Sequence, residues 1–168
     1  MGKRGIAGIR QARRALALLA LTIWALSAGL VRAETCAPGA LFIRGDWGQA
    51  RFSVEVADTE AKRARGLMNR PAMATSAGML FVYQRTGRVA FWMRNTLIPL
   101  DMLFADERGV VTRIHSNAIP LDETPIPGGD AIRYVVEING GLARAMGITE
   151  GSQLHHPALE QDRAAWPC

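Results

Sequence analysis

Phe91-Trp92-Met93-Arg94-Asn95-Thr96-Leu97-Ile98-Pro99-Leu100-Asp101 sets three large apolar side chains before three polar ones and ends an apolar run on a carboxylate. An apolar run of this length suits a strand covered on both faces. Pro99 cannot donate to a sheet ladder and biases Ile98 toward an extended backbone, so a kink is expected there. Arg94, Asn95 and Asp101 then lie in or beside apolar surroundings, where each needs a partner. Two readings stay open. In one, Arg94 and Asp101 pair bidentately and Asn95 satisfies backbone groups at the kink, an internal clip. In the other, the three form a binding site. The clip is the commoner use of such residues, and it is the expectation here.

Outward from this stretch the pattern is mostly that of strands. Leu41, Phe42 and Ile43 make a short apolar run stopped by Gly45-Asp46 and Gly48. Phe52, Val54 and Val56 alternate with Arg51, Ser53 and Glu55, the period of a half-buried strand. Asp58 or Thr59 is placed to cap a helix reaching Asn69, with Ala64, Leu67 and Met68 on one side. Residues 78–83 and 89–93 read as strands around a turn at Gly87. Residues 100–105 and 110–115 read as a hairpin about Asp106-Glu107-Arg108-Gly109. Residues 119–129, with three prolines and two glycines, read as a loop without regular structure, and 132–138 as a further strand. Gly140-Gly141 opens a short helix that Gly147 ends. The expected fold is mainly β: a β-sandwich or barrel of about seven to eight short strands with two short helices.

The first 33 residues read as an address rather than as fold. Lys3, Arg4, Arg10, Arg13 and Arg14 precede an apolar run over 15–30, and Val31-Arg32-Ala33 suits a signal peptidase. An uncleaved anchor is the rival reading. With cleavage expected after Ala33, residues 34–168 remain as a single exported domain, periplasmic or secreted, with no stable membrane insertion. Six of the 20 basic residues and none of the 15 acidic ones lie before Glu34, which leaves 14 against 15, a net charge of −1. That balance gives no field to draw in nucleic acid. The only two cysteines, Cys36 and Cys168, stand at opposite ends of the domain, and export invites a disulfide between them. Neither has a metal-ligand spacing, so zinc binding by thiolates is not expected.

Several ordered blocks resemble one family. Gly66-Leu67-Met68-Asn69-Arg70, Gly78-Met79-Leu80-Phe81, Phe91-Trp92-Met93-Arg94-Asn95-Thr96, Ile98-Pro99-Leu100-Asp101 and Gly147-Ile148 with Gly151 are similar to DUF192 over about residues 41–154. The family usually has Lys where this chain has Arg94, and commonly an acidic residue at the position of Ser152. The resemblance implies a compact, mainly β domain, often behind a signal peptide, and supplies no activity.

For function the residues point to a binding or accessory module that meets an unknown small molecule or protein. A small hydrolase or lyase using Asp101, with Arg94 and Asn95 orienting substrate, is the alternative. Asp101 and Glu137 are the carboxylates that would act as an acid pair if the fold brings them together. His115 reads as a hydrogen-bonded structural residue. Met68, Met73, Met79, Met93 and Met102 offer soft ligands and make a periplasmic Cu(I)-binding protein a remote alternative. At strand and helix positions, though, methionine is ordinarily core filler. His155-His156 is too sparse for a metal site without partners, and no cofactor is expected.

Overall fold

A computed structural model describes residues 36–168. The expected signal segment lies outside the described residues. Seven strands, β1 Ala40–Gly45, β2 Gly48–Ala57, β3 Ala77–Phe91, β4 Leu100–Ala105, β5 Val111–Ala118, β6 Ile126–Asn139 and β7 Gln153–His155, join two short helices. The helices are α1 Glu60–Arg65 and α2 Leu142–Met146. The strands form one sheet in the order β5-β4-β6-β3-β2-β1-β7, curled into a half-barrel. The mainly β expectation holds, with two strands much longer than foreseen.

The sheet has two dry faces, and the register decides which side chain enters which. On β6, Tyr134, Val136 and Ile138 join Leu41, Ile43, Phe52, Leu80 and Leu103 in one core. Val135 joins Met79, Phe81, Met102 and Phe104 in the other. All six residues of β4 are buried, as expected of a strand paired on both edges and covered on both faces. β2 and β3 are parallel neighbours, so the chain between them has to cross over, and α1 lies in that crossover.

Local chemistry accounts for the boundaries that differ from expectation. Thr59 caps α1 as read, but the helix stops at Arg65 rather than Asn69 because Gly66 turns the backbone to φ 48°. The apolar run from Phe91 is not one strand. β3 ends at Phe91, and Asn95 at φ 55° turns the chain before β4 starts at Leu100. The segment 119–129 is a loop only in its first part. Ile126, Pro127 and Gly129 pair with Phe91, Ala90 and Val89 across irregular register steps. Such bulges tolerate the missing N–H of Pro127. At Gly128 the ring of Phe104 lies where a Cβ would stand, at 2.2 Å, so only glycine fits.

Cys36 and Cys168 are joined by a disulfide, with Cα atoms 5.7 Å apart across a sequence separation of 132. In the chain-entropy picture, a loop of that size is worth about 4–5 kcal/mol. Urea unfolding of the Cys36→Ser, Cys168→Ser double variant should show a loss approaching that figure. A loss under about 1 kcal/mol would mean that the unfolded chain gains little freedom when the bond is absent.

Candidate functional site

Asp101 is fully buried, and none of its partners is Arg94. Oδ1 accepts from the backbone N–H of Asn117 at 2.7 Å and of Gly141 at 2.8 Å, and Oδ2 from that of Ala143 at 2.7 Å. Gly141 and Ala143 open α2, and Gly141 has no side chain with which to cap it. A carboxylate from β4 supplies the cap from across the fold and ties α2 to the end of β5. The expected clip is therefore corrected in its partners. Arg94 is half exposed, 3.9 Å from Glu123, with its guanidinium 5.6 Å from the Trp92 ring centre. Asn95 is exposed at its left-handed turn, where its carbonyl accepts from the N–H of Asn69 at 2.7 Å.

Asp101 and Glu137 do not form an acid pair either. Ile138 is the register partner of Asp101, and Met102 that of Glu137. Opposite residues in an antiparallel pair share a face, and successive residues alternate. Asp101 thus faces the core that holds Ile138, whereas Glu137 faces the one that holds Met102. The sheet itself lies between the two carboxyls.

On its own face Glu137 is 4 % exposed and has no hydrogen-bond partner among the described residues. Burial alone pushes its carboxyl up to about 8. It lines a cavity of about 180 Å³, together with Leu67, Phe81, Tyr83, Phe91, Trp92 and Thr96. The turn that ends α1 forms one wall, where Gly66 brings its backbone close to the Phe81 ring. Arg63 stands at the same cavity, donating to the carbonyls of Asp58 and Val82, each at 2.8 Å, with its guanidinium 5.1 Å from the Tyr83 ring centre. It has no carboxylate partner among the described residues. Burial raises the Tyr83 phenol; Arg63 opposes that rise and Glu137 adds to it. The arrangement is a hollow of mixed character: Leu67, Met68, Phe81, Phe91 and Trp92 are its apolar walls, and Arg63, Arg65, Tyr83, Thr96 and the neutral Glu137 carboxyl its polar ones.

The other sequence candidates fall elsewhere. His115 sits half-buried on the edge strand β5 without the hydrogen bond expected of it among the described residues. Met79, Met93 and Met102 are buried in the core, Met73 packs on it, and Met68 lines the cavity, so the five are packing residues rather than a ligand set. The sequence reading missed Arg63, Tyr83 and Phe81 as cavity residues. The one available signal was a lone acid in the apolar run Tyr134-Val135-Val136-Glu137-Ile138.

Against known proteins, the family model for DUF192, described as an uncharacterized ACR, matches residues 42–156. The chain belongs to that family. A crystal structure of a protein of unknown function from Novosphingobium aromaticivorans DSM 12444 is 41% identical, with a TM-score of 0.67, over 68% of this chain and 82% of that one. A second, from Sinorhizobium meliloti 1021 and described as a candidate transcription regulator, is 36% identical, with a TM-score of 0.70, over 74% and 98%. No curated protein matches. All five motif blocks and every cavity-lining residue fall inside the DUF192 match.

Replacing Asp101 with Ala strands three backbone donors and should cost about 3–5 kcal/mol in denaturant unfolding. Arg94→Met, at an exposed position, should cost under about 0.5 kcal/mol, and the double variant should show no coupling. A coupling of several kcal/mol would restore the ion-pair clip.

Proposed function

We propose that this protein is exported, released from its first 33 residues, and acts as a binding module that takes a small, largely apolar molecule into the Glu137 cavity. One observation carries the reading: a nearly buried carboxyl with no protein hydrogen-bond partner among the described residues, opening into a hollow walled largely by apolar and aromatic side chains. Burying a polar group unpaired costs free energy, and a fold under no functional demand would fill such a position with an apolar side chain. A ligand atom is the missing partner. Because burial keeps Glu137 protonated at neutral pH, it offers an O–H, and the complementary ligand presents an acceptor such as a carbonyl or ether oxygen. The volume equals the liquid share of about six waters, which limits the buried part of the ligand to a small ring or short chain.

An Asp101 hydrolase or lyase is disfavoured, since that carboxylate is dry and already accepts three hydrogen bonds. Nucleic acid is disfavoured by the net charge of −1 after cleavage, whatever the Sinorhizobium relative does. Export is supported by the N-terminal pattern and agrees with the disulfide. Intact mass of the exported protein should begin at Glu34, and a product retaining Met1 would point to an anchor instead.

The ligand reading is tested by a ligand-observed NMR screen of small cyclic ketones and ethers on wild type and Glu137→Met, which keeps the bulk and removes the donor. Wild type should yield hits that the variant loses and that weaken as pH rises through about 8. Hits of equal strength on both proteins, or none on wild type, would overturn it.

Glu137 also predicts a pH dependence of stability. The unfolded chain releases this proton near 4.5 and the folded protein near 8, so between those values the folded state holds the extra proton. Stability therefore falls by about 1.4 kcal/mol per pH unit across that window, about 5 kcal/mol in all at most. Glu137→Gln should flatten this slope, as read by urea midpoints from pH 4 to 9.

A further inference from the structure

The two ends of the described chain meet at a cluster that the sequence separates by more than a hundred residues. His155, on β7, is buried, stacked on Trp166 at 4.6 Å and edge-on to Phe42 at 5.8 Å. Its Nδ1 lies 3.3 Å from the carbonyl of Trp166. A carbonyl only accepts, so Nδ1 carries the ring proton and Nε2 is left with a bare lone pair. That lone pair meets Cys36 Sγ at 3.3 Å and has no other partner among the described residues. A disulfide sulfur has no proton to give. In the oxidised protein, then, a buried acceptor faces a group that cannot satisfy it.

The neighbouring His156 shows the contrast. Its Nδ1 accepts from the N–H of Ala158 at 3.0 Å and its Nε2 donates to the carbonyl of Pro38 at 2.9 Å, so both of its nitrogens are used. Only His155 presents an idle nitrogen to sulfur. The ligand atoms of Cys36, His155 and Cys168 all lie within 4.8 Å of one another.

We propose that reduction of the Cys36–Cys168 bond converts this cluster into a site for a thiophilic d10 cation, Zn(II) or Cu(I), held by both thiolates and Nε2 of His155. A dithiol reductant supplies two electrons and two protons. The S–S bond breaks, two S–H bonds form, and the reductant leaves as its own disulfide. Metal binding then releases the two thiol protons to solvent and forms two metal–sulfur bonds and one metal–nitrogen bond. The imidazole changes no proton, because Nε2 is already bare. The Trp166 carbonyl fixes the tautomer and aims the ring, the usual outer support of a ligating histidine. Two thiolates and an imidazole suit either ion, with water completing a tetrahedron for zinc. Cys168 is exposed, which gives the ion a way in. The disulfide and the metal exclude each other, so the oxidised domain is closed to the ion and the reduced one open.

The test is titration of the oxidised and the reduced full domain with Zn(II), and with Co(II) as its spectroscopic substitute. The reduced protein should bind one equivalent and show thiolate-to-cobalt charge transfer, and the oxidised protein should bind none. His155→Ala should bind at least about tenfold more weakly after reduction. X-ray absorption of the wild-type zinc complex should count two sulfurs and one imidazole nitrogen, a readout that stands even if the variant fails to fold. Absence of stoichiometric binding by the reduced protein, equal binding by the oxidised one, or a complex lacking imidazole would each overturn the proposal.

Discussion

Three backbone N–H groups converge on the carboxylate of Asp101, and the half of the sheet around β4 is held in shape by that convergence. Asn117 leaves β5 through a left-handed turn, and Gly141 leaves β6 through another. Each would carry an orphaned donor into a buried corner if the carboxylate were missing. Gly140 sits between them so tightly that a Cβ would meet Pro99 and Asn117 within 3 Å. The kink at Pro99 has a use here, since its carbonyl accepts from the N–H of Gly140. The polar corner is thus satisfied by backbone rather than by side chains, and that leaves Arg94 free to lie outside.

The same strand pairing gives the two buried acids opposite surroundings. β4 and β6 run antiparallel, one register step apart in the two acids' positions, and the pleat sends Asp101 to one face and Glu137 to the other. Asp101 meets a full set of donors. Glu137 meets an aromatic hollow and no donor. Both are nearly inaccessible, so burial alone does not distinguish them; what distinguishes them is whether the surroundings answer the charge. Where they do, the carboxylate strengthens the fold. Where they do not, burial favours the protonated form.

Much of this fold was legible because its strands obey simple periods. The alternation through Phe52, Val54 and Val56 gave β2, and the glycines at 140–141 and 147 framed α2. The apolar run before Asp101 was harder. It mixes Met93, buried at a turn, with Trp92, which is 46% exposed, and a run read by hydropathy alone cannot tell those apart. The importance of Asp101 was visible, but its partners were not, since backbone donors leave no mark in a sequence. Glu137 was visible as an acid within an apolar strand. Its cavity was not, because the walls come from α1's exit, from β3 and from the turn after it, far apart in sequence. His155 shows the same limit. Its pairing with Cys36 depends on β7 lying beside β1, a contact across 119 residues that no local pattern announces.

The distribution of stabilising and destabilising groups follows from these placements. An unpartnered Glu137 lowers the stability of the folded state increasingly as pH rises toward 8, by up to about 5 kcal/mol, a large share of an ordinary domain's margin. A chain carrying that burden needs compensation that does not itself titrate in the same range. The disulfide provides it in the oxidised state by limiting the unfolded chain, independent of pH. The Asp101 network provides it locally on the opposite face of the same two strands. The destabilising carboxyl and the stabilising one thus sit back to back across the β4–β6 pair. A reduced protein would lose the first compensation, a loss felt by the fold as a whole, and keep the second.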